Sequence, residues 1–305
     1  MIHEHPAWQK PLFEALSRRG IDFGIVDLKK DVLNPDLEPE SRLYFNQASP
    51  SAYVRGNTSS VPMALAFMQS LETMGVRVLN GSSAFLLELS KSAQISLMKT
   101  LGVDHPKSLL FHNVDQALSQ WDLWPALLKP QQGGSGARMY LLESKEDLKK
   151  LLRLDPGIWF PDHLLMLQEY FPIPREQGIV RMEFVGGELL YAMRVVSHGS
   201  FNLCPSEMCN PADGKDSVCE IPQGKPVEFF ACPEVPTEAV AMGKRLVEAG
   251  KLDVAGIEYL QSEDGRLIFY DVNANSNLRP AIASHFGFDP FERVVDYLEN
   301  QIKLV

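Results

Sequence analysis

Residues 254–273 read VAGIEYLQSEDGRLIFYDVN, and this stretch decides the fold. Val254 to Leu260 and Leu267 to Val272 are two β-prone runs around a turn at Asp264-Gly265, the pattern of a β-hairpin. Asp271 and Asn273 are two apart, so on a strand both side chains leave the same face, and Glu258 on the partner strand is placed to meet them. Three oxygen donors converging from adjacent strands suit Mg²⁺, which takes few protein ligands and fills its shell with water and phosphate. Solvated acidic residues flanking a hairpin are the simpler account. Against it, Asp271 follows the apolar Leu267-Ile268-Phe269-Tyr270, where an unpaired carboxylate is costly.

Working outward, Ile179–Phe184 and Leu189–Val196 form a second hairpin turning at Gly186-Gly187, with Arg181 and Arg194 on its two arms. Cations on separate elements can converge on one polyphosphate, although each alone is usually a solvated surface charge. Further upstream, the strand Ala126-Leu127-Leu128-Lys129-Pro130 and the strand Met139-Tyr140-Leu141-Leu142 flank the glycine-rich turn Gln131–Arg138. Lys129 is followed by Gly133-Gly134-Ser135-Gly136-Ala137, whose backbone can come close to phosphate oxygens. For a lone glycine-rich loop, an incidental surface hairpin is the commoner reading. No Lys-Ser or Lys-Thr pair follows the glycines, so this is not a P-loop; a hairpin and not a crossover helix follows, so it is not a dinucleotide fingerprint.

A helix is expected over Ser83–Leu101, carrying Lys91 and ending at Gly102, then a break at Asp104-His105-Pro106 before the apolar Ser108–Phe111. Ser144 and Asp147 predict a capped helix over Lys145–Leu154, and Leu164–Phe171 an extended apolar run. At the N-terminus a helix (Trp8–Arg19), an extended run (Ile21–Leu28), a helix (Pro62–Met74) and a strand (Val76–Asn80) alternate, which predicts a small α/β sheet. Helices are also expected over Thr237–Ala249 and Pro290–Leu304, and a loop with at most one strand over Asn202–Pro233. The units expected are 1–90, an N-terminal α/β domain; 91–168, a central unit with a mobile hairpin tip; and 169–305, a C-terminal unit with the candidate metal site.

With 305 residues, 45% of them hydrophobic, the chain exceeds one compact domain. The net charge of −10 excludes a broad cationic surface for nucleic acid while allowing a local basic cleft. Cys204, Cys209, Cys219 and Cys232 lack Cys-x-x-Cys spacing and read as reduced thiols, with zinc the minor alternative. No signal-like apolar segment or run of membrane-spanning length is visible, so a cytoplasmic chain without membrane partners is expected, and a homo-oligomer is compatible.

Lys91, Lys129 with its glycine-rich loop, Leu167-Gln168-Glu169-Tyr170-Phe171, Arg181, Arg194, Glu258 and Asp271-Val272-Asn273 stand in the order of the ATP-grasp ligases. The chain resembles that superfamily, best over Ser90 to Asn273, and within it the RimK-type branch near glutathione synthetase. The resemblance implies an α/β (α+β) ATP-grasp fold, a small N-terminal domain followed by two α+β subdomains that clasp ATP. It implies that Lys91 and Lys129 bind phosphates under a lid of Gly133, Gly134, Ser135, Gly136 and Ala137. Gln168, Glu169, Tyr170 and Phe171 would hold adenine, with Glu176 at the ribose. Arg181 and Arg194 would contact the transferred phosphate, with Asn202 near the reaction centre, and Glu258, Asp271 and Asn273 would bind Mg²⁺, with Mn²⁺ the alternative.

Two departures stand out. The branch usually has Asp first and Glu second where this chain has Glu258 and Asp271, which alters their reach. After Asn273 the branch commonly shows a Ser-Pro-Gly motif, whereas Ala274-Asn275-Ser276-Asn277-Leu278-Arg279-Pro280 follows here. That segment lies near the acceptor in such enzymes, so the family's substrates do not carry over. The resemblance implies a ligase joining a small carboxylate to an amine through an acyl phosphate, with a kinase on the same fold and a non-catalytic nucleotide binder as rivals.

Overall fold

Strands Val254–Gln261 and Leu267–Asn273 pair antiparallel, with Glu258 opposite Asp271 and Gly256 opposite Asn273. The other edge of the 254–261 strand pairs with Ile179–Val185, which sets Arg181 opposite Glu258. Glu188–Val196 and Glu228–Ala231 complete a five-stranded antiparallel sheet. The computed structural model that shows this describes residues 1–134, 136–173, 177–197, 227–276 and 278–305.

Alternation along these strands divides the sheet, except where the pairing shifts between Glu258 and Tyr259, so that Phe269 and Val272, three apart, share a face. Met182, Phe184, Ala192, Ile257, Phe269 and Val272 share one apolar cluster with Leu246 and Val247 of helix Thr237–Ala249 and Met98 of helix Lys91–Thr100. Arg181, Glu183 and Glu258 alternate with the residues of that cluster and so leave the other face, where Tyr191, Met193, Leu260 and Ile282 form a second apolar cluster.

A four-stranded antiparallel sheet orders Ser108–Phe111, Leu165–Glu169, Ala126–Pro130 and Tyr140–Leu142. Leu148 of helix Lys145–Leu154 packs on it beside Leu128 and Leu165, and the expected cap holds, since Ser144 accepts from the Asp147 N–H at 3.2 Å. In the N-terminal unit, parallel pairs join Ile2–His3 to Val26–Asp27 and Leu43–Phe45 to Arg77–Leu79. Helix Pro290–Ile302 packs on helix Pro6–Arg18 through Leu12, Leu16, Val295 and Leu298.

Some expectations are corrected. The helix over Ser83–Leu101 is two, Ser82–Leu89 and Lys91–Thr100, broken at an extended Ser90. Ser90 caps the second helix by accepting from the Ala93 N–H at 3.2 Å. The extended run 21–28 yields only the short strand Val26–Asp27, and a helix over Val114–Gln120 was not foreseen. Helix 91–100, expected to open the central unit, packs on the five-stranded sheet, and the C-terminal helix packs on the N-terminal unit. Among the described residues no helix is long and apolar enough to cross a membrane. Cys232 is a free thiol; Cys204, Cys209 and Cys219 lie outside the described residues.

One side chain ties the N-terminal unit to the larger sheet. Asn80 is fully buried and left-handed (φ 47°), a conformation asparagine tolerates better than most residues. Its amide nitrogen donates to the Val254 and Ala274 carbonyls, and its amide oxygen accepts from the Asp253 and Val254 N–H groups. Its own N–H donates to the Asp253 carboxylate at 2.7 Å. Removing a buried partner leaves the remaining groups desolvated and unpaired, at about 1–3 kcal/mol each. Asn80→Ala is therefore expected to destabilise by about 3 kcal/mol or more, read as a shift in the urea midpoint; a shift worth under about 1 kcal/mol would show that the node is dispensable.

Candidate functional site

Between the two larger sheets lies a cleft of about 890 Å³, lined by Lys91, Lys129, Arg181, Glu258, Asp271 and Asn273 among others. Its floor is set by strand register. The Arg181 guanidinium reaches Glu258 across the strand pair at 2.8 Å and Glu183 on its own strand at 2.6 Å. Gly256 makes this possible, because a Cβ there would overlap that guanidinium. Burial opposes the charge on Arg181, but Glu183 and Glu258 outweigh it and raise its pKa. Tyr270 donates to the other Glu258 oxygen at 3.0 Å.

The two carboxylates facing each other are pushed apart in pKa. Burial, then the charge of Asp271, raises Glu258. Burial also acts against the Asp271 anion, but Lys91, which donates to it, and Lys129 outweigh that effect and lower its pKa. Asn273 donates to Asp271 at 3.0 Å and to the Gly256 carbonyl at 3.3 Å, which occupies its amide nitrogen and leaves the amide oxygen as its acceptor. Two anionic oxygen donors and a neutral one, with repulsion between the anions, form a donor set that fits a hard divalent cation. Among the described residues no group of three His, Cys, Asp or Glu is placed to hold a metal ion; the candidate set is two carboxylates and one carboxamide.

Lys91 is brought here by Gln94. Positions three apart share a helix face, and Gln94 accepts from the Val272 N–H and donates to its carbonyl, as a neighbouring strand would. The Lys91 ammonium is thereby carried to Asp271. Gln131, at the root of the glycine-rich loop, donates to the Ser90 and Ser92 hydroxyls at 2.8 Å each. Lys129 donates to Gln168 at 2.8 Å; burial first, and then the charge of Lys91, brings its pKa down to about 7.

Gly133, Gly134, Gly136 and Ala137 line the same cleft. Past them, Arg138 packs over the rings of Tyr53 and Phe160, and Gln132 donates to the Pro50 carbonyl at 3.3 Å. The loop thus spans from the four-stranded sheet to the N-terminal unit. Gln168, Glu169, Tyr170 and Phe171 also line the cleft, and the Glu169 N–H is engaged by the Lys107 carbonyl at 2.8 Å. Ser135, Glu176 and Asn202 lie outside the described residues.

Arg194 is not brought to the cleft. Arg181 is paired with Met193, so alternation sends Arg194 to the opposite face, where it is exposed and stacks over Phe230 at 5.2 Å. The hairpin was read correctly, and the face of its second arm was not.

Several site residues escaped the sequence reading. Glu183 was legible, being two positions from Arg181 on one strand. Gln94, Gly256 and Glu88 carry no sequence signal of their own. The Glu88 carboxyl lines the cleft, accepts from the Asn275 N–H at 3.2 Å and is pushed by burial up to about 8.

No family model matches the chain. It is 24% identical over 302 residues to a curated Haemophilus influenzae protein named probable alpha-L-glutamate ligase, covering 94% of this chain and 92% of that one. A RimK domain ATP-grasp protein from Sphaerobacter thermophilus superposes with a TM-score of 0.69 at 15% identity, over 97% of this chain and 98% of that one. The ATP-grasp ligase PsnB, solved with a phosphomimetic variant of its minimal precursor, Mg and ADP, superposes with a TM-score of 0.68 at 18% identity, over 99% and 97%.

Gly256→Ala is expected to displace the Arg181 guanidinium and destabilise the protein by about 1–3 kcal/mol, the usual range for overpacking. Thermal unfolding checks the stability, and a crystal structure of the variant with Arg181 unmoved would remove Gly256 from the account.

Proposed function

We propose that this chain, which has the ATP-grasp fold, is an ATP-dependent carboxylate–amine ligase of the ADP-forming acid–amino-acid type. The observation that carries the reading is the meeting of Glu258, Asp271 and Asn273 with Lys91, Lys129 and Arg181 in one cleft. Cations alone would serve any anion. Cations around an oxygen-donor set suit a polyphosphate with its metal.

ATP enters as a substrate. The carboxylate attacks its terminal phosphorus, ADP leaves, and the resulting acyl phosphate is displaced by an amine, releasing phosphate. Glu258, Asp271 and Asn273 would hold Mg²⁺, which Mn²⁺ can replace; when bound, the metal supplies charge neutralisation at the phosphates. Lys129 and Lys91 are suited to the phosphates by position, and Arg181 to the group in transfer, with no reorganisation needed because Glu183 and Glu258 already hold it. The glycine-rich loop is suited to exclude water from an intermediate that water would destroy. The four strands and loop of the central unit form the wall that would close over the nucleotide. The relatives' glutamate and peptide substrates support an amino-acid or peptide substrate here.

A coupled assay for ADP and phosphate over pairs of amino acids, dipeptides and small polyacids, with mass spectrometry of the products, tests the reading. Release of ADP without phosphate would favour a kinase. Asp271→Asn is expected to lower magnesium-dependent turnover by about a hundredfold or more, a much larger effect than on the unfolding midpoint; full ADP release in that variant would remove the proposed metal site.

Lys129 makes the binding of ATP pH-dependent. Its pKa of about 7 in the free protein leaves much of it neutral above neutrality, and phosphate anions would raise that pKa. Binding then takes up a proton, so affinity falls as pH rises above about 7, by up to about tenfold per unit. Calorimetry in buffers of different ionisation enthalpy should show this uptake in wild type and not in Lys129→Ala, which is also expected to bind ATP more weakly. Equal proton uptake in the two would exclude Lys129.

A further inference from the structure

Arg279 closes the segment after Asn273, where this chain departs from the Ser-Pro-Gly pattern, and it lines the cleft. Its backbone N–H donates to the Tyr191 hydroxyl at 2.8 Å, and its guanidinium carbon lies over the Phe229 ring, 3.5 Å from the centroid. The backbone is fixed by the first contact and the side chain by the second. Among the described residues, however, it has no paired counter-charge: its Nε is buried without a hydrogen-bond partner there, and no carboxylate forms an ion pair with it. Glu183, the carboxylate that acts on it, is already engaged by Arg181 and Ser276. Burial, and then the charge of Arg181, lowers its pKa, yet a guanidinium stays protonated at any working pH. A half-buried, preorganised cation without a partner is a costly arrangement that an anionic ligand would offset.

The position says which anion. Lys91 pairs with Asp271 on one edge strand of the five-stranded sheet, Asp271 faces Glu258, and Glu258 faces Arg181 on the strand beyond. Arg279 is held by Tyr191 on the next strand and by Phe229 on the opposite edge strand, so it is anchored across the sheet from Lys91. Phe229, Val195, Ile179 and Leu278 also line the cleft and present apolar surface suited to a carbon skeleton. We infer that Arg279 is a specificity-determining residue that binds a non-reacting carboxylate of a free amino-acid substrate. A planar guanidinium stacked on a ring presents its remaining N–H groups as a fork, which matches a carboxylate in a bidentate way. Phosphate is the competing anion. This inference rests on the ligase reading and sharpens it to an acid or amine partner that carries a carboxylate beyond the bond being made.

The test takes free L- and D-amino acids, singly and in pairs, with ATP and Mg²⁺, and follows ADP release by the full chain. For the best substrates, Arg279→Ala should raise the KM of one amino acid by about tenfold or more while leaving that of ATP within about twofold, and Arg279→Lys should recover part of the loss. Replacing the non-reacting carboxylate of that amino acid by a carboxamide should cost wild type a similar factor and cost Arg279→Ala little. Circular dichroism and thermal unfolding establish that both variants fold; if the alanine variant does not, the lysine variant with the amide comparison decides. A KM for ATP that rises as much as that of the amino acid would assign Arg279 to phosphate and overturn the inference. So would unchanged discrimination between acid and amide, or a wild-type protein that binds ATP but accepts no free amino acid. If wild type binds no ATP, the ligase reading itself falls.

Discussion

Glu258 stands between a guanidinium and a second carboxylate on neighbouring strands, and the cleft depends on that three-strand register. Arg181, Glu258 and Asp271 are direct cross-strand partners in succession, so a slip of one residue in either pairing would turn the partner's charge into the apolar cluster on the far face. Burying ionised groups side by side is expensive and is tolerated only with close pairing. The structure supplies that pairing through Glu183, Tyr270, Asn273 and Lys91. A fold selected for stability alone would do better with apolar residues here. Such a retained charge lattice in a cleft, with carboxylates displaced from their ordinary pKa, is characteristic of sites prepared for a charged ligand.

The lattice is positioned by uncharged amides. Gln94 clasps both backbone groups of Val272, Gln131 binds the start of the helix that bears Lys91, and Asn80 stitches the N-terminal unit to the 254–261 strand. Each replaces backbone pairing where the chain cannot supply it. The result is that Lys91, on a helix far in sequence from the sheet, is held as closely as a strand residue. Side chains held in this way need no reordering when charge moves, which is the condition for electrostatic stabilisation of a transferring group.

Arg279 fits the same logic across the sheet from Lys91. Unlike Arg181 it has, among the described residues, no carboxylate partner: an aromatic face holds its guanidinium and a tyrosine hydroxyl its backbone N–H. Preorganisation without neutralisation leaves the interaction free energy available to an incoming group. The departure from the Ser-Pro-Gly pattern after Asn273 falls in the same segment as Arg279.

The sequence by itself determined the strand pairs, the turn glycines and the alternation that puts Asp271 and Asn273 on one face, because these depend on neighbours within a few residues. It also determined the order of Lys91, Lys129, Arg181 and Glu258 along the chain, enough for the ATP-grasp resemblance. Which face an arm presents was harder to read. Arg181 and Arg194 lie on arms of one hairpin, and only the pairing of Arg181 with Met193 decided that they point oppositely. The need for glycine at 256 and the role of Gln94 were likewise decided by tertiary structure alone. Each is set by atoms from a distant segment: the Arg181 guanidinium over Gly256 and the Val272 backbone at Gln94. Local sequence carries propensity and period, whereas the cost of an added Cβ or an unpaired amide exists only once the partner segment has arrived.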